Sequence, residues 1–431
     1  MTLDEYVFQP FGSIADLIRW QARERPRHKA VVLDDRDVDY AEFDRRVDQV
    51  AAGLQRDGLV PGAIAAICAN TDINYVVAIF GCLRAGVVFA PLAPSATPAH
   101  RDAMLENAAA KVLFRDRETA QDWRLPQDSA LRCVALDDSD AGTPWTQWLA
   151  GAAGAPPRPI AVQPEWAFNL IYSSGTTGVP KGIVHPWSMR WSHVQRARLA
   201  GYGPDTVTLA ATPLYSNTTL ISVLPTLALG GTVVLMRKFD AHKYLELAQR
   251  HRATHTMLVP VQYQRLMDDP DFDQYDLSSL RTKFSTGAPF RAELKAEVLR
   301  RWPGALIESY GMTEGGGRCE LQAHLHPDKL HTVGKPVEGH DVRLIDEQGH
   351  EVPPGGSGEI VGHSSAMMTG YHRQPEKTRE AEWFDATGKR FLRTGDMGRF
   401  DEDGFLVLGD RKKDMIISGG FNIYPSDIEA E

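Results

Sequence analysis

The feature that most constrains the fold of this chain is a repeated alternation of short apolar runs with amphipathic helical patterns. From Tyr40 onwards, Phe43, Val47 and Leu54 recur on one helical face, and residues 64–68 then form an apolar run typical of a buried strand. Strands that alternate with helices are joined by crossover connections, which produce largely parallel sheets with helices on both faces. The sequence therefore predicts an α/β fold with mainly parallel sheets.

The same alternation continues through both halves of the first 310 residues. Ser13 is a candidate helix cap, residues 75–85 form a predicted helix, and Leu294, Val298 and Trp302 share one helical face. A stretch rich in Asp, Gly, Ala and Pro over residues 137–159 indicates a surface connection between two αβ subdomains. Further strands are predicted at residues 30–33, 87–92, 167–172, 206–212, 232–237, 254–259 and 280–285.

The pattern changes after about Gly334. Short runs at residues 341–345 and 358–361 are separated by Gly/Pro turns, and the acidic segment 401–404 lies between two apolar runs as a hairpin turn would. We expect a smaller, barrel-like β-rich subdomain over about residues 334–411.

Composition excludes several classes of function. A formal net charge of −9 argues against nucleic acid or an anionic membrane as the main partner. The sequence has no apolar stretch of about 18 residues and no signal-peptide pattern at its start, so neither a membrane span nor secretion is expected. The four cysteines form no CxxC pair, and Cys68 and Cys82 lie in apolar runs, which indicates buried free thiols in a reducing cytoplasm.

The strongest chemical signal is a loop rich in Gly, Ser and Thr that ends in Lys181. Glycines allow backbone N–H groups to point at an anion, hydroxyls add donors, and the lysine adds positive charge, so the loop is typical of a polyphosphate cradle. It is not a Walker loop, because a glycine follows Lys181 in place of Ser or Thr. A plain surface turn is the alternative for this composition taken alone. The predicted donors are Ser173, Ser174, Gly175, Thr176, Thr177 and Gly178.

This loop resembles the phosphate signature of the acyl-adenylating superfamily, which includes acyl- and aryl-CoA ligases, peptide-synthetase adenylation domains and beetle luciferases. Other segments resemble the family's motifs in the family's order. These segments are 85–92, similar to its early structural motif; 285–289, its adenine-side loop; 308–314, its nucleotide segment; 393–396, its ribose motif; and 409–414, its hinge motif.

The resemblance implies a role for each matched residue. Tyr310 would stack on adenine, Asp396 would accept hydrogen bonds from the ribose diol, and Arg411 would add a positive charge near the ribose. Thr313 would contact the α-phosphate, and Glu314 would be the Mg²⁺ ligand. The remaining nucleotide-binding residues would be Gly287, Ala288, Pro289, Glu308, Ser309, Gly311 and Met312. Thr313, Glu314 and Lys181 would be the catalytic residues. A core tyrosine, a solvated glutamate and a turn aspartate are the plainer interpretations of Tyr310, Glu314 and Asp396.

The implied reaction is AMP-forming activation of a carboxylic acid by ATP with Mg²⁺, followed by acyl transfer to CoA. Two anions meet in the first step, so positioning and charge neutralisation are the main catalytic tasks. The implied domains are a large AMP-binding domain over residues 1–411 and, over 412–431, the hinge with Lys413 and the start of a small C-terminal domain. The adenylation lysine would lie beyond Glu431, so a chain of these 431 residues is predicted to bind ATP but to form acyl-AMP very poorly.

The predicted acid pocket favours an aromatic or aliphatic acid over a dicarboxylate, because its residues are mostly apolar or weakly polar. The sequence does not separate aryl from fatty acids. Arg318 is a candidate partner for a second carboxylate, although a loop arginine more often faces solvent. The pocket residues would be Tyr215, Ser216, Asn217, Val261 and Thr286.

Two alternatives stay open at this point. One is an adenylation domain that loads a carrier protein instead of CoA, and the other is a nucleotide-binding module without turnover. The segment 411–425 favours the CoA ligase, because it resembles CoA ligases more than peptide-synthetase domains. Whether the chain forms a homodimer is not determined by the sequence.

Overall fold

The structure is a computed structural model that describes residues 1–125, 130–152, 154, 156–173, 180–411, 416–418 and 421–423. Its helices are α1 Leu3–Val7, α2 Ile14–Glu24, α3 Tyr40–Arg56, α4 Ile73–Arg84, α5 Pro98–Ala108, α6 Arg117–Gln121, α7 Trp145–Ala150, α8 Trp187–Leu199, α9 Asn217–Ala228, α10 Ala241–Arg250, α11 Pro260–Met267, α12 Ala292–Arg301 and α13 Pro375–Glu380.

The strands range in length from 2 to 11 residues. They are β1 Lys29–Leu33, β2 Arg36–Asp39, β3 Ile64–Cys68, β4 Val88–Pro91, β5 Val112–Arg115, β6 Arg132–Ala135, β7 Thr143–Pro144, β8 Ala167–Ser173, β9 Lys181–Pro186, β10 Val207–Ala210, β11 Thr232–Leu235, β12 His255–Leu258, β13 Thr282–Ser285, β14 Ala305–Tyr310, β15 Cys319–Gln322, β16 Lys335–Pro336, β17 Asp341–Ile345, β18 Ser357–His363, β19 Gly370–Tyr371, β20 Glu382–Phe384, β21 Arg390–Phe400, β22 Leu406–Arg411, β23 Ile416–Ser418 and β24 Phe421–Ile423.

The chain divides into two compact units. The first unit comprises Met1–Met257, Tyr275–Ser279 and Met368–Gln374. One of its sheets has the order β19-β9-β8-β4-β3-β5-β6-β7, and its strands from β8 to β7 pair in parallel. A second set runs β12-β10-β11-β1-β2 and is parallel except at β2. Helices α3 and α4 pack on one another through Phe43 and Phe80, whose ring centroids are 5.3 Å apart.

The second unit comprises Leu258–Gln274, Leu280–Met367 and Pro375–Glu431. Its strands β13 and β14 pair in parallel, and β15 and β16 extend them in antiparallel fashion. A separate antiparallel sheet has the order β17-β18-β21-β20, with β22 paired to β21. The buried residues Leu344, Ile360 and Leu406 form part of the core beneath this sheet.

These observations confirm the predicted fold class: parallel-rich α/β sheets accompanied by a smaller β-rich part. The Ser13 cap is confirmed, since its hydroxyl accepts a hydrogen bond from the Asp16 amide at 3.4 Å. The hairpin across residues 401–404 is also confirmed, because β21 and β22 pair antiparallel on either side of it. The domain boundary near residue 411 stays a prediction, since residues 412–415 lie outside the described part.

The expectation of a plain surface connection over residues 137–159 was wrong. Within it, Thr143–Pro144 adds a parallel strand to β6, and helix Trp145–Ala150 follows directly. Trp145 and Trp148 are buried and pack against Phe114 with ring centroids 6.1 and 5.5 Å away. The loop-like composition concealed these two tryptophans, whose large apolar surfaces fix the segment to the sheet.

Two further expectations concern the thiols and the membrane. Cys68 and Cys82 are buried and free, as predicted, and burial raises the pKa of the Cys68 thiol to about 12. Among the described residues, none of the helices combines the length and apolar character that a membrane span requires.

Candidate functional site

The predicted phosphate loop joins two paired strands of the first unit. β8 and β9 are antiparallel, and Ser173 lies opposite Lys181 in their register. The strand that was predicted before the loop is therefore present, and the two ends of the loop are held side by side. The side chain of Ser173 lies outside the described part of the structure, as do the predicted donors Ser174, Gly175, Thr176, Thr177 and Gly178.

Lys181 begins β9 and is half-buried. Its ammonium lies 5.2 Å from the centroid of the Tyr371 ring, within the range of a cation–π contact. Tyr371 belongs to β19, which pairs with β9 opposite Ile183. The Gln374 side chain also donates to the Pro180 carbonyl at 2.9 Å. This arrangement limits the freedom of the lysine, and sequence reasoning missed Tyr371 because it lies about 190 residues further along the chain.

The predicted acid-pocket residues of the first unit lie at the start of α9. Ser216 is the N-cap, and its hydroxyl accepts a hydrogen bond from the Thr218 amide at 3.3 Å. Asn217 is half-buried, and its Oδ1 accepts a hydrogen bond from Arg190 Nη2 at 2.8 Å. Tyr215 precedes them and is also half-buried.

In the second unit, the predicted adenine-side loop follows β13. Gly287 has φ +88°, a left-handed conformation that side chains rarely adopt, and Ala288 and Pro289 are exposed. The Thr286 hydroxyl donates to the Ser309 carbonyl at 2.8 Å. The loop is thereby attached to β14, the strand that carries the nucleotide segment.

Tyr310 and Asp396 come from two separate predicted motifs, and the fold of the second unit joins them. Tyr310 is the last residue of β14, and its hydroxyl donates to Asp396 Oδ2 at 2.8 Å. Burial, reinforced by the negative charge of Asp396, raises the pKa of Tyr310 above its ordinary value. Tyr310 thus provides an aromatic ring, and Asp396 provides a carboxylate at the edge of that ring. A ring suits a planar base and a carboxylate suits a diol, so the pair suits a ligand that contains both.

Glu308 occupies a different environment from its neighbours in the motif. Its carboxylate is buried in an ion pair with Lys295 and accepts a hydrogen bond from the Phe290 amide. Lys295 also donates to the carbonyls of Leu330 and Thr332 at 2.7 and 3.0 Å. Sequence reasoning missed Lys295, because a lysine on an amphipathic helix normally faces solvent. Its spacing from Val298, three residues later on the buried face, was the available signal.

Thr313 and Glu314 are followed by three glycines that the packing requires. Gly315 has φ +79°, and a Cβ atom there would lie 2.1 Å from the Ala366 carbonyl oxygen. A Cβ atom on Gly317 would lie 2.8 Å from the Gly362 Cα. The backbone after Glu314 therefore rests directly on the chain at 362–366. Thr313 and Glu314 are half-buried, as is Met312, while Gly311 is exposed.

Three predicted residues remain. Arg411 lies opposite Asp396 in the register of β21 and β22, although its side chain lies outside the described residues. Lys413, the predicted hinge, also lies outside them. Val261 lies near the start of α11 with 57% of its surface exposed.

Comparison with known proteins identifies the family of the chain. The profile of the family described as AMP-binding enzyme matches residues 18–372. The feruloyl-CoA synthase of Amycolatopsis sp is 35% identical over 95% of this chain and 81% of that protein. The indoleacetate–CoA ligase of Aromatoleum aromaticum is 31% identical over 96% of this chain and 82% of that protein. Among solved structures, Bacillus subtilis O-succinylbenzoate coenzyme A synthetase in complex with AMP superposes with a TM-score of 0.81 at 26% identity, covering 96% of this chain and 82% of that one.

Proposed function

Since the chain belongs to the family of AMP-binding enzymes, we propose that it activates an aromatic or aliphatic carboxylic acid with ATP and transfers the acyl group to CoA. Three of its relatives are named as a CoA synthase or CoA ligases, and the chain is an AMP-forming acid–thiol ligase. Relatives named for ferulate, indoleacetate and 4-coumarate favour an aromatic acid. The observation that carries the proposal is the 2.8 Å contact between Tyr310 and Asp396.

In the proposed first step, a carboxylate oxygen attacks the α-phosphorus of ATP, and the bond to the bridging oxygen of pyrophosphate breaks. In the second step, the CoA sulfur attacks the acyl carbon, AMP leaves with the bonding electron pair, and the thiol proton is lost to solvent. The chain's part is to orient the groups and neutralise charge, since two anions must meet in the first step.

We assign the nucleoside to Tyr310 and Asp396 of the second unit. The tyrosine ring would stack on adenine, and the carboxylate would accept hydrogen bonds from the ribose hydroxyls. The Tyr310 hydroxyl already donates to Oδ2 of Asp396, which holds the carboxylate in place. Gly287, Ala288 and Pro289 would border the base. Glu308 is assigned a positioning role, because Lys295 and the Phe290 amide already engage its carboxylate.

In the second unit, we assign phosphate binding to Thr313 and Glu314. In the first unit, we assign phosphate binding to Lys181 with residues 173–178. A single half-buried carboxylate beside a hydroxyl fits Mg²⁺, which takes one or two carboxylates and completes its shell with phosphate oxygens and water. When bound, the ion would neutralise phosphate charge. Lys181 would add a fixed positive charge, oriented by Tyr371.

In the first unit, we assign acid binding to Tyr215, Ser216 and Asn217. In the second unit, we assign acid binding to Thr286 and Val261. The Thr286 hydroxyl is occupied by the Ser309 carbonyl, so this residue would present its methyl group to the acid. Lys413 is proposed as the hinge residue between the two half-reactions, with Arg411 near the ribose.

The test is acid-dependent ATP–pyrophosphate exchange by the full-length enzyme across aromatic, fatty and dicarboxylic acids, followed by addition of CoA. Exchange with one class of acid and a thioester on CoA are expected. Asp396→Ala should raise the KM for ATP at least tenfold, whereas Asp346→Ala, which alters a turn aspartate of the same unit, should not. Thioester on a carrier protein but not on CoA would favour the carrier-loading alternative. No exchange with any acid, in folded protein that binds ATP, would leave a binding module.

A further inference from the structure

A buried guanidinium contacts the first residue of α9, and none of the described residues forms an ion pair with it. Arg190, on α8, is only 1% exposed. Its Nε donates to Asn169 Oδ1 at 3.0 Å, and its Nη2 donates to His185 Nδ1 and Asn217 Oδ1, both at 2.8 Å. All three acceptors are neutral groups. Within the described part of the chain, Nη1 has no hydrogen-bond partner. Burial lowers the pKa of Arg190 to about 9.

This guanidinium determines which way the Asn217 amide faces. An arginine has five donors and no acceptor, so Asn217 must present its carbonyl oxygen to Arg190. Its NH₂ group is therefore directed away from Arg190. Asn217 is half-buried, whereas Arg190 is fully enclosed. The amide NH₂ is thus the donor that this pair offers to a ligand.

The N-terminus of α9 also favours an electronegative ligand atom near Asn217. Asn217 is the first residue of α9, a helix of 12 residues, and no acidic side chain lies in its first turn. The unpaired N–H groups and the dipole at a helix N-terminus attract electronegative atoms. A buried positive charge is costly when the groups that accept its hydrogen bonds are all neutral, so Arg190 adds to this attraction. Arg190, the Asn217 amide and the helix terminus therefore favour the same kind of ligand atom.

We propose that Asn217, oriented by Arg190, forms a subsite that selects carboxylic acids bearing a second oxygen acceptor, away from the carboxylate that reacts. The acceptor is a ring hydroxyl or methoxyl oxygen or a second carboxylate. Asn217 is then a specificity-determining residue and Arg190 a positioning residue that acts through it. The inference rests on the proposed function, which assigns the residues at the start of α9 to the acid.

The experiment compares kcat/KM of the full-length enzyme for cinnamic acid, 4-hydroxycinnamic acid and 4-carboxycinnamic acid. The wild type should prefer at least one substituted acid over cinnamic acid by tenfold or more through KM. A preference for 4-hydroxycinnamic acid would identify a neutral acceptor, and a preference for 4-carboxycinnamic acid would identify an anionic one. Asn217→Asp keeps the shape but replaces the donor by a carboxylate facing Arg190, so the preference should fall to within about twofold of unity. The KM for ATP should stay unchanged.

Ratios between acids separate specificity from a folding defect, because loss of folded enzyme lowers every kcat/KM equally. Arg190→Met should reduce the preference as Asn217→Asp does, while Arg198→Met, which removes a guanidinium from the same helix, should preserve it. Equal use of all three acids by the wild type, or an unchanged ratio in Asn217→Asp, would overturn the subsite and leave the ligase intact. Absence of exchange with every acid would instead refute the proposed function.

Discussion

The buried Lys295–Glu308 ion pair provides the sharpest prediction for stability. The two side chains are 2% and 5% exposed, and the three donors of Lys295 are matched by Glu308 and two backbone carbonyls. Replacing Lys295 by Met leaves a buried carboxylate without its partner. Removing one member of a buried pair costs about 3–5 kcal/mol. We therefore expect Lys295→Met to lower the free energy of unfolding by about 3–5 kcal/mol in urea titrations at pH 7.

The double variant Lys295→Met/Glu308→Gln tests the reasoning. It removes the stranded charge, so it should recover about 1 kcal/mol or more relative to Lys295→Met. The matched control is Lys243→Met, which breaks an exposed pair with Glu246 and should cost less than about 1 kcal/mol. A loss below about 1 kcal/mol in Lys295→Met, or a double variant as unstable as the sum of the two single variants, would refute this account.

Three further predictions address other parts of the chain. Tyr310→Phe removes the hydrogen bond to Asp396 but keeps the ring, so AMP affinity measured by calorimetry should fall about three- to tenfold, a loss near 1 kcal/mol; an unchanged Kd would contradict the orienting role of the hydroxyl. Lys283 is buried with its ammonium on three backbone carbonyls, and burial lowers its pKa to about 7 from the ordinary 10.5, so the unfolded chain binds the proton more tightly. The contribution of Lys283 to the free energy of unfolding should therefore rise as the pH increases from 7 to 10.5, and Lys283→Met should flatten that part of the profile of Tm against pH. The same slope in Lys283→Met and in the wild type would refute the lowered pKa of Lys283. Glu42 has a pKa lowered to about 2, first through its hydrogen bond to Arg45, so its contribution should be present above pH 4.5 and lost as pH falls towards 2; Glu42→Gln should show a smaller loss over that window in the same measurement.

Local sequence was sufficient to determine the element types and the order of the motifs. Apolar runs with period-2 or fully buried character, helix periodicity and caps such as Ser13 depend on residues close together in the chain. The alternation therefore indicated a parallel α/β fold, and the Gly, Ser and Thr pattern before Lys181 indicated phosphate chemistry. The prediction for residues 137–159 was wrong because their composition is that of a loop. The strand and helix found there are held in place by Trp145 and Trp148, which pack against Phe114.

The tertiary structure alone decided which polar groups meet. Tyr310 and Asp396 are 86 residues apart and lie on strands of two different sheets, so only the packing of those sheets within the second unit brings them together. Lys295 and Arg190 are buried on helices, and burial depends on what packs against a helix and not on the helix itself; the spacing of Lys295 from Val298 was a local sign of its burial, but it did not identify the partners. Period and propensity are local properties, whereas desolvation and hydrogen-bond partners arise from contacts between distant segments. The chain's family could thus be read from its motifs, while the environment of each charged group required the fold.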